Sequence, residues 1–140
     1  MFLHFMKLDD QAFPLTKGTK NSVGFDIKAN VDTIINHQSL GVVSTGLRVL
    51  PPEGCYCRIA PRSGLTVNNL LNIWGGVIDP DYEGEVKVIL FNHSSNNFQI
   101  SRGDKIAQII CEKVEFPDLS EIQMEKTSER GENGFGSTGK

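Results

Sequence analysis

Glycine, proline and asparagine break the chain into short runs of apolar and β-branched residues, and this pattern limits the possible folds more than any other feature. Turn sequences separate the runs, among them Pro-Pro-Glu-Gly at 51–54 and Asp-Pro-Asp-Tyr-Glu-Gly at 79–84. Many short strands at a spacing of roughly 8–12 residues are typical of sandwiches, barrels and jelly rolls. We therefore predict an all-β fold, a distorted jelly-roll or β-barrel of short, mostly antiparallel strands at residues 1–8, 24–29, 32–35, 41–49, 54–61, 71–77, 84–92, 97–101 and 105–114.

The chain reads as one domain followed by an arm. At 140 residues it can bury a core of its own. From about residue 125 the sequence turns polar and glycine-rich, so we predict a β core over 1–124 and a flexible C-terminal arm over 125–140. The only helix expected is one turn opening at 69–72. The alternation at 86–91 predicts a strand that is buried on both sides.

Charge and cysteine content exclude several classes of protein. The net charge is −3 and no cluster of Lys and Arg is present, which argues against a nucleic-acid partner. No apolar run is long enough to span a membrane. No signal or transit peptide is recognisable, and an odd number of cysteines fits a reducing compartment, so we expect a cytoplasmic protein, or a nuclear one in a eukaryotic or viral host. Cys55 and Cys57 are expected to be buried on one sheet face, not to bind zinc.

The segment 130–139 has the composition of a ligand-binding arm. Its four glycines cannot build a core, and their uncrowded N–H groups can cradle phosphate oxygens. The Arg130 guanidinium can donate two hydrogen bonds to a phosphate, and the Phe135 ring offers a face for stacking. A disordered terminus is the alternative. If the ligand is a polyphosphate, the negative net charge indicates that a divalent cation accompanies it.

Two internal segments carry further polar groups in suggestive patterns. Pro-Arg-Ser-Gly-Leu at 61–65 is predicted to end a strand and enter a turn, with a cation, a hydroxyl and an open backbone suited to phosphate. Residues 75–84 are predicted to form a β-hairpin with its turn at 79–81. Taken alone, the first could be a surface turn with an arginine, and the aspartates of the second could simply shape the turn.

Together with residues 23–27 (Val-Gly-Phe-Asp-Ile) and 103–108 (Gly-Asp-Lys-Ile-Ala-Gln), these segments make five ordered motifs. They resemble those of the homotrimeric dUTP pyrophosphatase (dUTPase) family, over residues 22–139. The resemblance implies a Mg²⁺-dependent enzyme that hydrolyses dUTP to dUMP and pyrophosphate, which keeps uracil out of DNA and supplies dUMP for thymidylate synthesis. It also implies a homotrimer in which each active site takes residues from three chains.

The resemblance also implies a role for individual residues. Asp79 would position and activate the attacking water. Residues expected to bind the phosphates are Arg62, Ser63, Gly64, Gln108, Arg130, Gly136, Ser137 and Thr138. Residues expected to bind the uracil and the deoxyribose are Gly76, Val77, Ile78, Tyr82, Lys87, Ile89 and Phe135.

Magnesium is expected to be bound mainly by the substrate triphosphate, with no direct protein ligand. Asp26 is a candidate to hold it through water, and a structural ion pair is an equally good interpretation of that residue. Ile106 and Ala107 are expected in the core, and Asp104 is expected to cap a turn.

Two other functions compete with this interpretation. A dCTP deaminase of the same fold would need a catalytic glutamate at the position of Ile89, which is apolar. A non-catalytic nucleotide-binding regulator would be expected to lack Asp79, Arg130 or Phe135, and all three are present. The chain departs from the family pattern at Glu83, where a basic residue is frequent, and at Asn133, where glycine is frequent.

Overall fold

The computed structural model describes residues 1–123 and 127–139, and within them it contains eleven strands and one short helix. The predicted boundary between core and arm, at residues 124 and 125, lies outside the described residues. In chain order the elements are β1 (His4–Lys7), β2 (Phe25–Lys28), β3 (Thr33–Ile35), β4 (Ser39–Ser44), β5 (Leu47–Leu50), β6 (Cys55–Ala60), α1 (Ser63–Asn69), β7 (Leu71–Trp74), β8 (Val77–Ile78), β9 (Lys87–Asn92), β10 (Phe98–Ile100) and β11 (Lys105–Lys113).

The strands form four small sheets, and all the strand pairs within these sheets are antiparallel. The largest sheet has the order β2-β11-β6-β8, and a second has the order β4-β9-β7. Two-stranded sheets, β1-β5 and β3-β10, complete the fold. The all-β prediction is confirmed. Over the described ranges the sheets are those of a distorted jelly roll and do not close into a barrel.

One core lies between the sheets, built from alternate residues of the longer strands. Ile106 and Ala107 belong to it, as predicted. Cys55 and Cys57 are also buried, which confirms the expectation that they act as small apolar side chains. Further members that are almost fully buried are Ile27, Ile35, Val43, Leu71, Val86, Val88, Leu90, Ile100 and Ile109.

Two predicted strands are each broken in two by glycines. The run 41–49 divides into β4 and β5 at Gly46, where φ is 67°. The run 71–77 divides into β7 and β8 at Gly75 and Gly76, where φ is 67° and 101°. Positive φ lies outside the strand region, so the chain must change direction at these points.

The hairpin predicted over residues 75–84 is wrong for the same reason. After Gly75 and Gly76 the chain crosses from the β4-β9-β7 sheet to the β2-β11-β6-β8 sheet, where Val77 and Ile78 pair with β6. It is β7, before the glycines, that pairs with β9. The turn predicted at 79–81 does form, because the Tyr82 N–H donates to the Asp79 carbonyl at 3.1 Å.

A helix replaces the turn predicted after Pro61. α1 begins at Ser63 and ends at Asn69, where a helical turn had been expected to begin. The sequence does not predict this helix, because Gly64, Thr66 and Val67 are weak helix formers. None of its residues is fully buried, so it also lacks the apolar stripe that marks an amphipathic helix. Leu70 ends it in a left-handed conformation, with φ of 55°.

The prediction that β9 is buried on both sides is also wrong. Val88 and Leu90 are buried, but Ile89 and Phe91 on the other face are only half-buried, since no second sheet of the described chain covers them. Trp74 stacks on Phe91 there, with ring centroids 4.7 Å apart. Among the described residues, no helix has the length and apolar character needed to cross a membrane.

Candidate active site

A cavity of about 290 Å³ opens beside β8 and β9. The pairing of β8 with β6 fixes one wall, and the pairing of Ile89 with Val42 across β9 and β4 fixes another. The lining residues are Val42, Val77, Ile78, Asp79, Tyr82, Glu85, Lys87 and Ile89. Six residues expected around the uracil, the sugar and the attacking water therefore share one cavity, and Val42 and Glu85 are additions that sequence reasoning missed.

Tyr82 is held over this cavity by a chain of hydrogen bonds. Its hydroxyl donates to the Glu85 carbonyl at 2.8 Å. The Glu85 carboxylate in turn accepts from the Gly46 N–H at 2.8 Å and from the Ser44 hydroxyl. A side chain at Gly84 would sit 2.4 Å from the Tyr82 hydroxyl oxygen, so only glycine allows this ring position.

Gly76 does not line the cavity. Its carbonyl accepts from the Ile59 N–H at 2.8 Å, and a Cβ at Gly76 would lie 2.7 Å from the Ile59 carbonyl oxygen. The glycine therefore allows the loop to approach β6 closely enough to orient Val77 and Ile78. Because Gly76 is not part of the cavity wall, the cavity does not support its predicted contact with uracil.

Asp79 follows β8 directly and is exposed at the rim of the cavity. Among the described side chains, no lysine or arginine lies within ion-pair distance of its carboxylate. A carboxylate that is not engaged by a cation keeps its lone pairs for a water molecule.

A second cavity, of about 280 Å³, lies where β2, β11 and the start of α1 meet. It contains the predicted phosphate residues Arg62, Ser63, Gly64 and Gln108, together with Asp26. Gly18, Ser22 and Gly24 complete the lining. Gly18 and Ser22 were missed because they lie in an irregular loop, where no periodic pattern shows which residues face a site.

Two cations face one carboxylate in this second cavity. Arg62 Nε and Lys105 Nζ each lie 3.4 Å from an oxygen of Asp26, whose side chain is 16% exposed. The ion-pair interpretation of Asp26 is therefore realised in this structure. One positive charge is left over at the cavity, which suits an anionic ligand.

Gln108 is oriented by its neighbours. Its amide nitrogen donates to the Pro61 carbonyl at 3.0 Å, and the second hydrogen of that amide is available to a ligand. A Cβ at Gly24 would lie 2.2 Å from the Gln108 amide oxygen, so Gly24 provides the space this side chain occupies.

Asp104 on the same segment accepts from the Ser101 N–H at 2.8 Å, as expected of a turn cap.

The arm residues form a third group. Arg130, Phe135, Gly136, Ser137 and Thr138 line a cavity of about 580 Å³ that is bounded by the arm itself. Phe135 is fully exposed, with φ of 49°. The three cavities share no lining residue, so the structure gathers the predicted residues into three groups without joining them.

The described residues contain no cluster of three or more His, Cys, Asp or Glu side chains that could hold a metal ion. Burial raises the pKa of Cys57 to about 12 and that of Cys111 to about 11, so these thiols stay protonated and are poor ligands. Asp26 is the carboxylate that lines the second cavity, where it is placed to contact the waters of a cation held by another group.

A family model described as dUTPase matches residues 10–139. The chain belongs to the dUTPase family. It is 44% identical over 138 residues to the mouse deoxyuridine 5'-triphosphate nucleotidohydrolase, covering 99% of this chain and 85% of the mouse protein. The mitochondrial human enzyme of that name is 42% identical over 140 residues, all of this chain and 56% of the human protein.

Solved structures agree with the family assignment. The dUTPase of Staphylococcus bacteriophage 80alpha, in complex with dUpNHpp, superposes with a TM-score of 0.89 at 26% identity and covers 99% of this chain and 98% of that one. The prediction of a nucleotide hydrolase of the dUTPase family is confirmed, as is the distorted jelly-roll fold of that family.

Proposed function

We propose that the chain hydrolyses dUTP to dUMP and pyrophosphate, with Asp79 positioning the water that attacks the α-phosphorus in line. The observation that carries the proposal is the grouping of the motif residues into a carboxylate-bearing cavity and a cationic cavity, in a member of this family. The carboxylate accepts a proton from the water, and hydrogen-bond donors stabilise the charge that develops on the phosphate oxygens.

The first cavity is proposed to bind the nucleoside. The edge of uracil alternates donors and acceptors as a peptide does, so the backbone at Val77, Ile78, Lys87 and Ile89 can pair with it. Val42 and Ile89 form apolar walls of the cavity that would enclose the uracil ring. We propose that the Tyr82 ring packs against the deoxyribose, and a ring held in that position would leave no space for a 2′-hydroxyl.

The second cavity is proposed to bind the phosphates. Arg62 provides the fork of donors, Ser63 a hydroxyl, Gly64 an open backbone and Gln108 its remaining amide hydrogen. From the arm, Arg130 would reach the γ-phosphate, Phe135 would cover the uracil, and the backbone of Gly136, Ser137 and Thr138 would cap the phosphates. Closure of the arm would exclude water from the reaction.

Magnesium would be held mainly by the triphosphate, with Asp26 contacting its waters, and would neutralise phosphate charge. Binding of the complex would require Asp26 to loosen its ion pairs with Arg62 and Lys105. The two cations would then be redirected to the phosphate oxygens, with which they form charge-assisted hydrogen bonds.

A homotrimer would bring the three groups of residues together. The separation of the groups on one chain supports this, as do apolar side chains on the outer face of β4 and β7, where Leu40 and Trp74 are 49% and 46% exposed. Exposed apolar faces of this kind are typical of association surfaces. A cytoplasmic location stays a prediction, supported by three free cysteines.

The test is to offer the purified protein dUTP, dCTP, dTTP and UTP with Mg²⁺ and to follow pyrophosphate release and the identity of the base. We expect release from dUTP alone, and its loss in Asp79→Asn with the fold unchanged. Deamination of dCTP would contradict the proposal, and so would saturable dUTP binding without turnover, which would indicate a binding protein.

A further inference from the structure

The arm contains an asparagine followed by a glycine, Asn133–Gly134, in an open part of the structure. Asn133 is exposed, and a Cβ placed on Gly134 would meet no atom within 4 Å. The Asn133 N–H donates to the Arg130 carbonyl, and the Gly134 carbonyl accepts from the Ser137 N–H. Over residues 1–123 and 127–139, no acceptor pairs with the N–H of Gly134 or with the Asn133 side-chain amide.

We propose that Asn133 is a site of spontaneous deamidation. The backbone nitrogen of Gly134, after losing its proton, attacks Cγ of Asn133, a C–N bond forms, and the bond from Cγ to Nδ2 breaks with release of ammonia. Water then opens the resulting succinimide at either carbonyl, which leaves aspartate or isoaspartate. One water is consumed and one ammonia leaves, with no oxidant or reductant. Glycine favours the ring closure because it has no Cβ to crowd the attacking nitrogen.

Other asparagines of the chain lack this combination of features. Asn21 is also exposed, but the following residue, Ser22, has a side chain, and its N–H donates to the Thr19 carbonyl at 3.2 Å. Asn92 is fully buried and its amide donates to the Ile35 carbonyl at 3.0 Å, while the next N–H, that of His93, donates to Leu70. The structure therefore ranks deamidation fastest at Asn133, slower at Asn21 and slowest at Asn92.

Deamidation would weaken closure of the arm, a consequence that rests on the proposed function. Aspartate at 133 adds a negative charge three residues after Arg130, in the segment that would meet the triphosphate. Isoaspartate also lengthens the main chain between Arg130 and Phe135, so the two side chains would no longer reach their positions together. A unit charge within a few ångströms of a polyphosphate at a protein surface changes binding by about 1–2 kcal/mol, or roughly tenfold.

The experiment is to incubate the whole protein in mildly alkaline buffer at physiological temperature and to follow the tryptic peptide that begins at Gly131 by mass spectrometry, with enzymatic methyl labelling of isoaspartate. We expect acidic products at 133 to accumulate several-fold faster than at Asn21, and Gly134→Ala to slow them several-fold. Equal rates at Asn133 and Asn21, or an unchanged rate in Gly134→Ala, would overturn the proposal.

A second measurement separates this proposal from the function it rests on. The incubation is repeated with Mg²⁺ and dUpNHpp, the imido analogue of dUTP. Closure of the arm would lower the rate at Asn133. If the deamidation rate at Asn133 is the same with and without the analogue but is slowed by Gly134→Ala, the result would support the deamidation site and contradict the role proposed for the arm. Asn133→Asp should raise the KM for dUTP roughly tenfold, by the charge argument above.

Discussion

Glu85 lies outside the five motifs, and its removal should disturb the cavity that is proposed to bind the nucleoside. Its carboxylate accepts hydrogen bonds from the Gly46 N–H and the Ser44 hydroxyl, and its carbonyl accepts from the Tyr82 hydroxyl. It thereby fastens the Tyr82 segment to the end of β4. Removing the side chain should free the segment that is proposed to position the Tyr82 ring against the sugar.

The expected magnitude follows from these bonds. Hydrogen bonds to a charged group contribute about 1.5–3 kcal/mol each, and Glu85→Ala removes two of them. The change also removes the cost of partly burying a carboxylate, which offsets part of the loss. Glu85→Ala should therefore lower the free energy of unfolding by about 2–4 kcal/mol. Misplacement of the Tyr82 ring should also narrow the preference of kcat/KM for dUTP over UTP by roughly tenfold.

The matched control is Glu83→Ala, which makes the same change of charge two residues away. The Glu83 side chain is 81% exposed and meets Arg48 at 3.5 Å, so its removal should change stability by no more than about 0.5 kcal/mol. Urea unfolding and parallel dUTP and UTP kinetics measure both effects. If Glu85→Ala matches Glu83→Ala in stability and selectivity, the reasoning about the Tyr82 segment is refuted.

Three further predictions concern the phosphate cavity, the arm and the acid stability of the fold. Arg62→Lys keeps the charge but loses the fork, so kcat/KM for dUTP should fall by roughly 10–100-fold, and wild-type kinetics would contradict a role at the phosphates. Phe135→Ala should raise the KM for dUTP by roughly tenfold, the value of one stacked base, without moving the urea midpoint, because the side chain is fully exposed. A hydrogen bond from Arg58, then one from Tyr56, lowers the pKa of Glu112, so this group stabilises the fold above its ordinary pKa of 4.5 and the stabilisation is lost as the pH falls through the lower folded value. The urea midpoint of Glu112→Gln should therefore depend less on acid than that of the wild type, and identical pH profiles would count against the pair.

The sequence predicts the parts of the fold where a local signal and the tertiary structure agree. β6 and β11 form nearly as predicted because their alternation of apolar residues matches a buried sheet face. The break at Gly75 and Gly76 could not be predicted, because glycine tolerates strand geometry as well as positive φ, and only the crossing to β6 requires the latter. The helix at 63–69 was missed because most of its residues are weak helix formers, and Leu65, which packs against the core, is not part of a periodic apolar pattern.

The same distinction holds for the candidate site. Arg62, Asp79 and Tyr82 were found because their chemistry stands in compact motifs. Glu85 and Val42 were not, since their importance arises from pairing between segments that lie about forty residues apart in sequence. The ion pairs of Asp26 with Arg62 and Lys105 likewise depend on strands brought together by the fold.

Trp74 gives the molecule an optical probe at a useful place. It is the single tryptophan of the chain, it lies opposite Ile89 in the β7-β9 pair, and its ring stacks on Phe91. Ile89 lines the cavity that is proposed to bind the nucleoside, so only this residue separates the indole from a ring bound there. All tryptophan emission thus originates beside that cavity, and we expect nucleotide entry to change the fluorescence of the unlabelled protein.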